Sequence, residues 1–323
     1  MYNWRENGAI DLVVQKRVVL LCHDGSHDLD ANEGVKCMEA EVVQRREAEA
    51  SVNRLQLALL FASLSLFIGF FLPSIVFLVD RWSNSDEFSH GFLVPLVSLF
   101  ILWRKRAVIR ETPLRVCVWG LPVLGLALLM QIASEWASVS FLKALALPVA
   151  IGGLAWYLVG TRMMRVVLFP YLFLYFAVPW PDFAIEILSV PLQHFSAAAS
   201  TMLLGLVGVP IERDGVHMWT PRFDVEVAVP CSGIRSMVAI SGIAALVGYL
   251  THGRLWAKGV VFLAGIPITM LANVLRIAAI VVMGHYISQE FAMTFFHDYS
   301  SPFLFFISAL SLLGVKQLME KVR

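Results

Sequence analysis

Charge is what this sequence has least of. Asp, Glu, Lys and Arg make up 15% of the 323 residues and hydrophobic types 58%, whereas an ordinary soluble domain is about 25% charged. That balance excludes a simple cytosolic enzyme. The scarcity is also uneven, because 17 of the 49 charged side chains lie in residues 1–55. We read residues 1–55 as a polar cytoplasmic leader, a small appendage or disordered, and residues 56–323 as an integral membrane domain. A net charge of +1 supplies neither the basic surface that would hold nucleic acid nor an acidic tail. The four cysteines, Cys22, Cys37, Cys117 and Cys231, share no metal-ligand spacing and no pairing pattern, which argues against a disulfide framework. There is no His-Glu-x-x-His, no Gly-x-Ser-x-Gly elbow and no phosphate-binding loop, so zinc-protease, serine-hydrolase and nucleotide readings fall away and no metal or cofactor is expected. A cleavable signal peptide is not expected either, since residues 1–55 mix acids and bases throughout. The first membrane helix is expected to serve as the targeting signal.

What the sequence has in quantity is long apolar runs. A span needs about 20 such residues, and eight segments qualify or nearly do: 57–79, 91–103, 116–133, 138–159, 166–178, 236–250, 255–277 and 303–318. The expected fold is therefore an all-α polytopic membrane protein of about eight transmembrane helices. Lys and Arg gather in the loops holding Arg104 to Arg115, Arg162 with Arg165, and Arg254 with Lys258, and again at Lys316, Lys321 and Arg323. The positive-inside rule makes all of these cytoplasmic. Both termini then face the cytoplasm, and residues 182–230 and 280–302 face outwards. The run 183–209 is long enough to span but is interrupted by Glu186, Pro191, Gln193, His194 and a small-residue series from Ser196 to Thr201. It reads as an amphipathic helix at the outer face. Residues 211–229 read as a small β-hairpin, with a turn at Asp214-Gly215 and period-two alternation from Phe223 to Val229.

Reactive and charged side chains at membrane depth are functional candidates by default. Cys231 follows Pro230 and is expected in the first turn of the sixth span, where the helix dipole favours a thiolate. Arg235, four residues on, would lower its pKa further. A buried structural cysteine is the plainer alternative. Arg276 lies near the outer end of the seventh span with Asn273 three residues earlier, on one face. It either snorkels to headgroups or points inward as a donor to an anionic or carbonyl group. His297 precedes the last span and shares the outer rim with both. A cysteine, a base and a fixed cation together make an acyl-transfer site. Ser232 is a polar neighbour of the cysteine, and His90 opens the second span at the same face, lining the site or capping a helix.

The strings Pro230-Cys231-Ser232-Gly233-Ile234-Arg235-Ser236 and Asn273-Val274-Leu275-Arg276-Ile277, followed by His297, resemble the ordered Cys, Arg and His motifs of the exosortase/archaeosortase family. Ser89-His90-Gly91, Leu93-Val94-Pro95 with Trp103, Pro191-Leu192-Gln193 and Gly208-Val209-Pro210 extend the resemblance over about residues 60–318. It implies an eight-span enzyme of the bacterial inner membrane with its active site on the periplasmic face. Such an enzyme is a cysteine-type peptidase or transpeptidase, often linked with exopolysaccharide genes. Its partners would be the lipid bilayer and exported proteins whose C-terminus carries a Pro-Glu-Pro-like motif, a membrane helix and a basic tail. The acceptor is unassigned. By the same resemblance Cys231 would be the nucleophile, His297 the general acid and base, and Arg276 the oxyanion stabiliser. Two other classes stay open: a polytopic acyltransferase acting on a lipid or exopolysaccharide with Cys231 incidental, and a transporter or assembly scaffold. The latter would show paired charges deep in several spans, for which only Glu186 and Lys143 offer themselves.

The basic loops generate a first prediction. Reporter fusions or cysteine labelling should place Asp214 and residue 297 outside and the C-terminus inside, and a cytoplasmic Asp214 would invert the arrangement.

Overall fold

In the computed structural model the backbone is described for residues 31–85, 87–228 and 232–321, and side chains for 56–85, 87–228, 232–294, 300 and 302–321. The leader reading falls largely outside the described residues. The chain divides into two units, Met1–Phe70 and Phe71–Arg323. Helix α1 (Ala31–Asn84) begins in the first, where its residues Leu59, Phe61 and Leu66 are all exposed. Exposed apolar side chains in a run of this length are a lipid-facing surface.

The second unit contains the rest of the fold. A 3-10 turn (Ser89–Phe92) leads into α2 (Leu93–Arg104), and a short α3 (Arg106–Glu111) precedes α4 (Gly120–Trp136) and α5 (Ser140–Phe173). A second 3-10 turn (Leu174–Ala177) joins α5 to α6 (Asp182–Leu206), followed by strands β1 (Glu212–Asp214), β2 (His217–Thr220) and β3 (Phe223–Glu226). Helices α7 (Ile234–Leu250) and α8 (Leu255–Tyr286), a π-turn (Phe291–Phe296) and α9 (His297–Lys321) complete the unit. Five helical stretches are long and apolar enough to cross a membrane and three shorter apolar helices accompany them, as expected for an all-α polytopic membrane protein.

Continuous as it looks, α5 is two rods. Gly160 has φ 77° and ψ 172°, a conformation essentially confined to glycine, and it folds the chain back on itself. Ala144 consequently packs beside Val178, and Tyr171 lies against Gly152. Residues 140–159 and 161–173 thus form the antiparallel pair expected of separate fourth and fifth spans. Helix α4 nests against the first of these rods because small residues let the backbones touch: a Cβ on Gly153 would lie 2.5 Å from the Leu124 nitrogen, and one on Gly120 would strike Tyr157. Close approach through small residues is a principal source of helix association in lipid. Polar side chains pair across the same contacts. The Ser74 hydroxyl donates to the Lys143 carbonyl at 2.7 Å and meets the Gln131 amide.

Contacts sort the helix ends into two levels. At the basic end, Lys105 donates to the Val166 carbonyl at 2.6 Å and lies over the Tyr249 ring, while the His252 amide donates to Glu320 at 2.9 Å. At the far end, Arg81 pairs with Asp182 at 3.0 Å, Lys143 with Glu135 at 2.9 Å, and the Trp82 indole donates to the Ala177 carbonyl. Lys143, a candidate deep charge, therefore has its counter-ion at the helix ends. Helix α6 starts at this far end beside Arg81, and its later half runs along the far half of α8, where Ala197 and Leu204 join Ile277, Ile280 and Val281 in one cluster. With 25 residues, α6 is itself one of the five stretches long and apolar enough to cross a membrane.

The strands form a three-stranded antiparallel sheet rather than a two-stranded hairpin, in the order β1-β2-β3. Glu212 pairs with Trp219, and Met218 with Val225. The extra strand arises because the Gly215 turn (φ 60°) reverses the chain after Asp214, and Pro221-Arg222 reverses it again. Met218, Phe223 and Val227 turn inward onto α8, and the Phe223 ring occupies the space that a side chain at Gly284 would fill. With 32 residues, α8 is about 48 Å long, some 18 Å more than a hydrocarbon core of about 30 Å. Helix α6 and the sheet cover that surplus.

Gly160→Ala should lower thermal stability in detergent by at least about 1–3 kcal/mol, because the added methyl needs a strained backbone and meets the Arg115 carbonyl. Gly125→Ala, with open space around it, is the control. Equal unfolding midpoints would refute the fold-back role of Gly160.

Candidate functional site

On α8, Thr269, Asn273 and Arg276 follow at four- and three-residue intervals and share one face, with Ala272 beside them. They line a narrow cleft closed by Ser236 of α7 and by Leu304, Phe305 and Ser308 of α9. Its free volume is about 10 Å³, close to the minimum that holds one water. Arg276 is 9% exposed and Asn273 6%. An arginine that snorkels keeps its head group in water or among lipid headgroups; Arg276 is instead packed by protein.

A buried amide is costly unless hydrogen-bonded. The Asn273 Nδ2 donates to the Ser196 hydroxyl at 3.0 Å, and one turn further along α6 the Ser200 hydroxyl donates to the Val274 carbonyl at 3.1 Å. Two hydroxyls thus fix both the side chain and the backbone of α8 at this level. From the other side comes Gly233, left-handed at φ 87°, where a Cβ would lie 3.0 to 3.2 Å from the Asn273 side chain. Only glycine combines that backbone with that proximity. Ser232, 2% exposed, accepts the Ile234 amide at 3.3 Å across the Gly233 turn.

This start corrects one expectation. Helix α7 begins at Ile234 with left-handed Gly233 before it, so the helical i, i+4 spacing assumed between Cys231 and Arg235 does not run through this turn. Arg235 is half-buried in the first turn of α7. Cys231 lies outside the described residues, and so does the side chain of His297, whose backbone opens α9. The structure thus brings together Asn273, Arg276 and the Gly233 turn that follows Ser232. His90 stands in the turn Ser89–Phe92 that leads into α2. Its Nε2 is buried without a partner among the described residues. Thr269 and Ser308 had no place in the sequence reading, Ser236 entered it only as the last residue of the Cys motif, and Ser196 and Ser200 had no role assigned there. The signal for the last two was the small-residue series from Ser196 to Thr201, read there as an interruption of apolar character.

A bundle of apolar helices with a buried Asn-Arg cleft between α7, α8 and α9 defines a polytopic membrane protein with a polar site inside its bundle. The chain belongs to the transmembrane exosortase family, whose family model matches residues 82–314, and is in that broad sense a membrane sorting enzyme. No curated protein and no solved structure matches it.

The contact between α6 and α8 yields a quantitative expectation. In a double-mutant cycle, Ser196→Ala and Asn273→Ala should couple by about 0.5–1.5 kcal/mol in thermal stability, the usual net worth of one hydrogen bond. Additive losses would show that the bond contributes nothing to the fold.

Proposed function

We propose that the protein is a cysteine peptidase of transpeptidase type in the bacterial inner membrane. It cleaves the C-terminal sorting tails of exported proteins at the periplasmic face. The substrate would carry a Pro-Glu-Pro-like motif, one membrane helix and a basic end, as the family resemblance implies. The far end is then periplasmic and the basic end cytoplasmic, in keeping with the positive-inside rule. The observation that carries the reading is the burial of Arg276 beside Asn273, whose side chain meets the Gly233 turn. Cys231 is two residues from Gly233 in sequence, a backbone reach of at most about 7 Å. In α9, position 297 lies seven residues before Leu304 and eleven before Ser308, both of which line the cleft. A 3.6-residue helix carries all three positions on one stripe.

In the reaction, His297 takes the proton from the Cys231 thiol and the thiolate attacks the carbonyl carbon of the scissile peptide. The carbonyl oxygen becomes an oxyanion facing the Arg276 guanidinium, a fixed planar donor held in a water-poor cleft. Collapse breaks the C–N bond, and His297 returns its proton to the departing amine. The acyl group remains on Cys231 as a thioester until water or an acceptor nucleophile releases it and restores the thiol. Asn273, tied to Ser196, positions the helix turn on which Arg276 stands.

Cys231→Ala and Cys231→Ser should both accumulate uncleaved substrate, while Cys117→Ala should process it normally. Arg276→Lys keeps the charge but loses the planar fork, and removal of one such donor costs roughly 100- to 1,000-fold in rate. Processing is measured at matched membrane abundance, with Arg254→Lys as a control at the basic end. Full cleavage by Cys231→Ala would eliminate covalent catalysis by this thiol, and near-normal turnover by Arg276→Lys would demote the arginine to a packing role.

A further inference from the structure

Far from that cleft, at the basic end, the α5 fold-back and α4 enclose a second space. It has a volume of about 300 Å³ and is lined by Val123, Gly152, Trp156, Met164, Leu168 and Tyr171, with Thr161 and Arg165 also in its wall. Apart from those two the wall is apolar or aromatic, and its size is at the lower end of small-ligand pockets. From Thr161 to Tyr171 the helix rises about 15 Å, so the space runs from the basic surface towards the middle of the bundle. Its polar groups are unequal. The Thr161 hydroxyl already accepts from the Trp156 indole at 3.0 Å and lies 3.5 Å from the Cys117 sulfur. Arg165 has no carboxylate partner among the described residues and is exposed. Arg162, also exposed, is one turn away, and the Arg115 amide meets the Val159 carbonyl at the same fold-back. Trp119, 72% exposed at the N-cap of α4, and Trp156 mark an interfacial level.

A deep apolar slot with an uncompensated cation at its surface end is complementary to one kind of molecule: a long apolar chain ending in an anion. Basic pockets between membrane helices on the cytoplasmic side bind anionic lipid headgroups for this reason. We propose that this crevice is a binding site for one anionic phospholipid of the leaflet at the basic end. One acyl chain lies along Leu168 and Tyr171, and the phosphate is held by Arg165 with Arg162. The site is separate from the Asn273-Arg276 cleft and does not depend on the reaction proposed there.

The test uses the full-length protein purified in a neutral detergent, with phospholipid retention read by native mass spectrometry after incubation with phosphatidylglycerol or phosphatidylcholine. The wild type should retain one phosphatidylglycerol in preference to phosphatidylcholine. Arg165→Gln should weaken that retention roughly tenfold, as expected for loss of a charge-assisted contact. Val123→Phe, which fills the slot, should abolish it, and Arg254→Gln should leave it unchanged. Unfolding midpoints in lipid-free detergent show whether each variant is folded, and Leu168→Phe replaces Val123→Phe if the latter is not. Equal retention of the two lipids, undiminished retention in a folded Arg165→Gln protein, or retention that survives filling of the slot would each overturn the proposal. So would competition by glycerol phosphate alone, which would mean that the acyl chain plays no part.

Discussion

Hydrocarbon offers no partner to a polar group, and most of this architecture follows from that constraint. A hydroxyl or amide carried into the bundle has to find its hydrogen bond within the protein. Ser74 meets Lys143 and Gln131, the Trp82 indole meets the Ala177 carbonyl, and Asn273 meets Ser196. Each bond joins residues more than fifty positions apart, so satisfying the groups also fixes which helices are neighbours. Glycines supply the complementary element. At Gly153 and Gly120 they let α4 and α5 approach to backbone contact, where dispersion forces act at short range without any hydrophobic driving force between the helices.

The two ends of the bundle are built differently. At the basic end lysine and arginine reach neighbouring carbonyls or lie over aromatic rings. At the far end α8 shares a small core with α6 and the sheet around Met218, Phe223 and Val281. Asn273 and Arg276 sit at the junction of these regimes. Below it their burial would cost several kcal/mol for an unpaired charge; above it water would compete for every hydrogen bond they make.

The helices that cross were legible in the sequence because length and apolar character are local properties. The helix α6 was legible as a continuous run despite Glu186, Pro191 and Gln193, although its apolar character is weaker than that of its neighbours. The third strand was not, since β1 is only Glu212–Asp214 and becomes a strand by pairing with β2, which periodicity over three residues does not reveal. Of the candidate site, Asn273 and Arg276 were visible as polar residues on one face of a long apolar helix. Ser196 was not, because its significance lies in a contact 77 residues away and serine in a helix carries no mark of what it will meet. The start of α7 was misread for a related reason: Pro230 suggests a helix opening at once, whereas the left-handed Gly233 delays it to Ile234.

The excess length of α8 has a consequence for any polymer handled at this end. Asn273 is eighteen residues beyond Leu255, the first residue of α8, or about 27 Å along a rigid rod, close to the thickness of a hydrocarbon core. A helix of fixed rise therefore acts as a gauge, holding Asn273 and Arg276 at a set height measured from the opposite surface. If the substrate is the sorting tail proposed above, the length of its membrane helix would set the height of the residues that precede that helix. Selection by distance needs little recognition of side chains, and two tails of different sequence but equal apolar length would present the same bond.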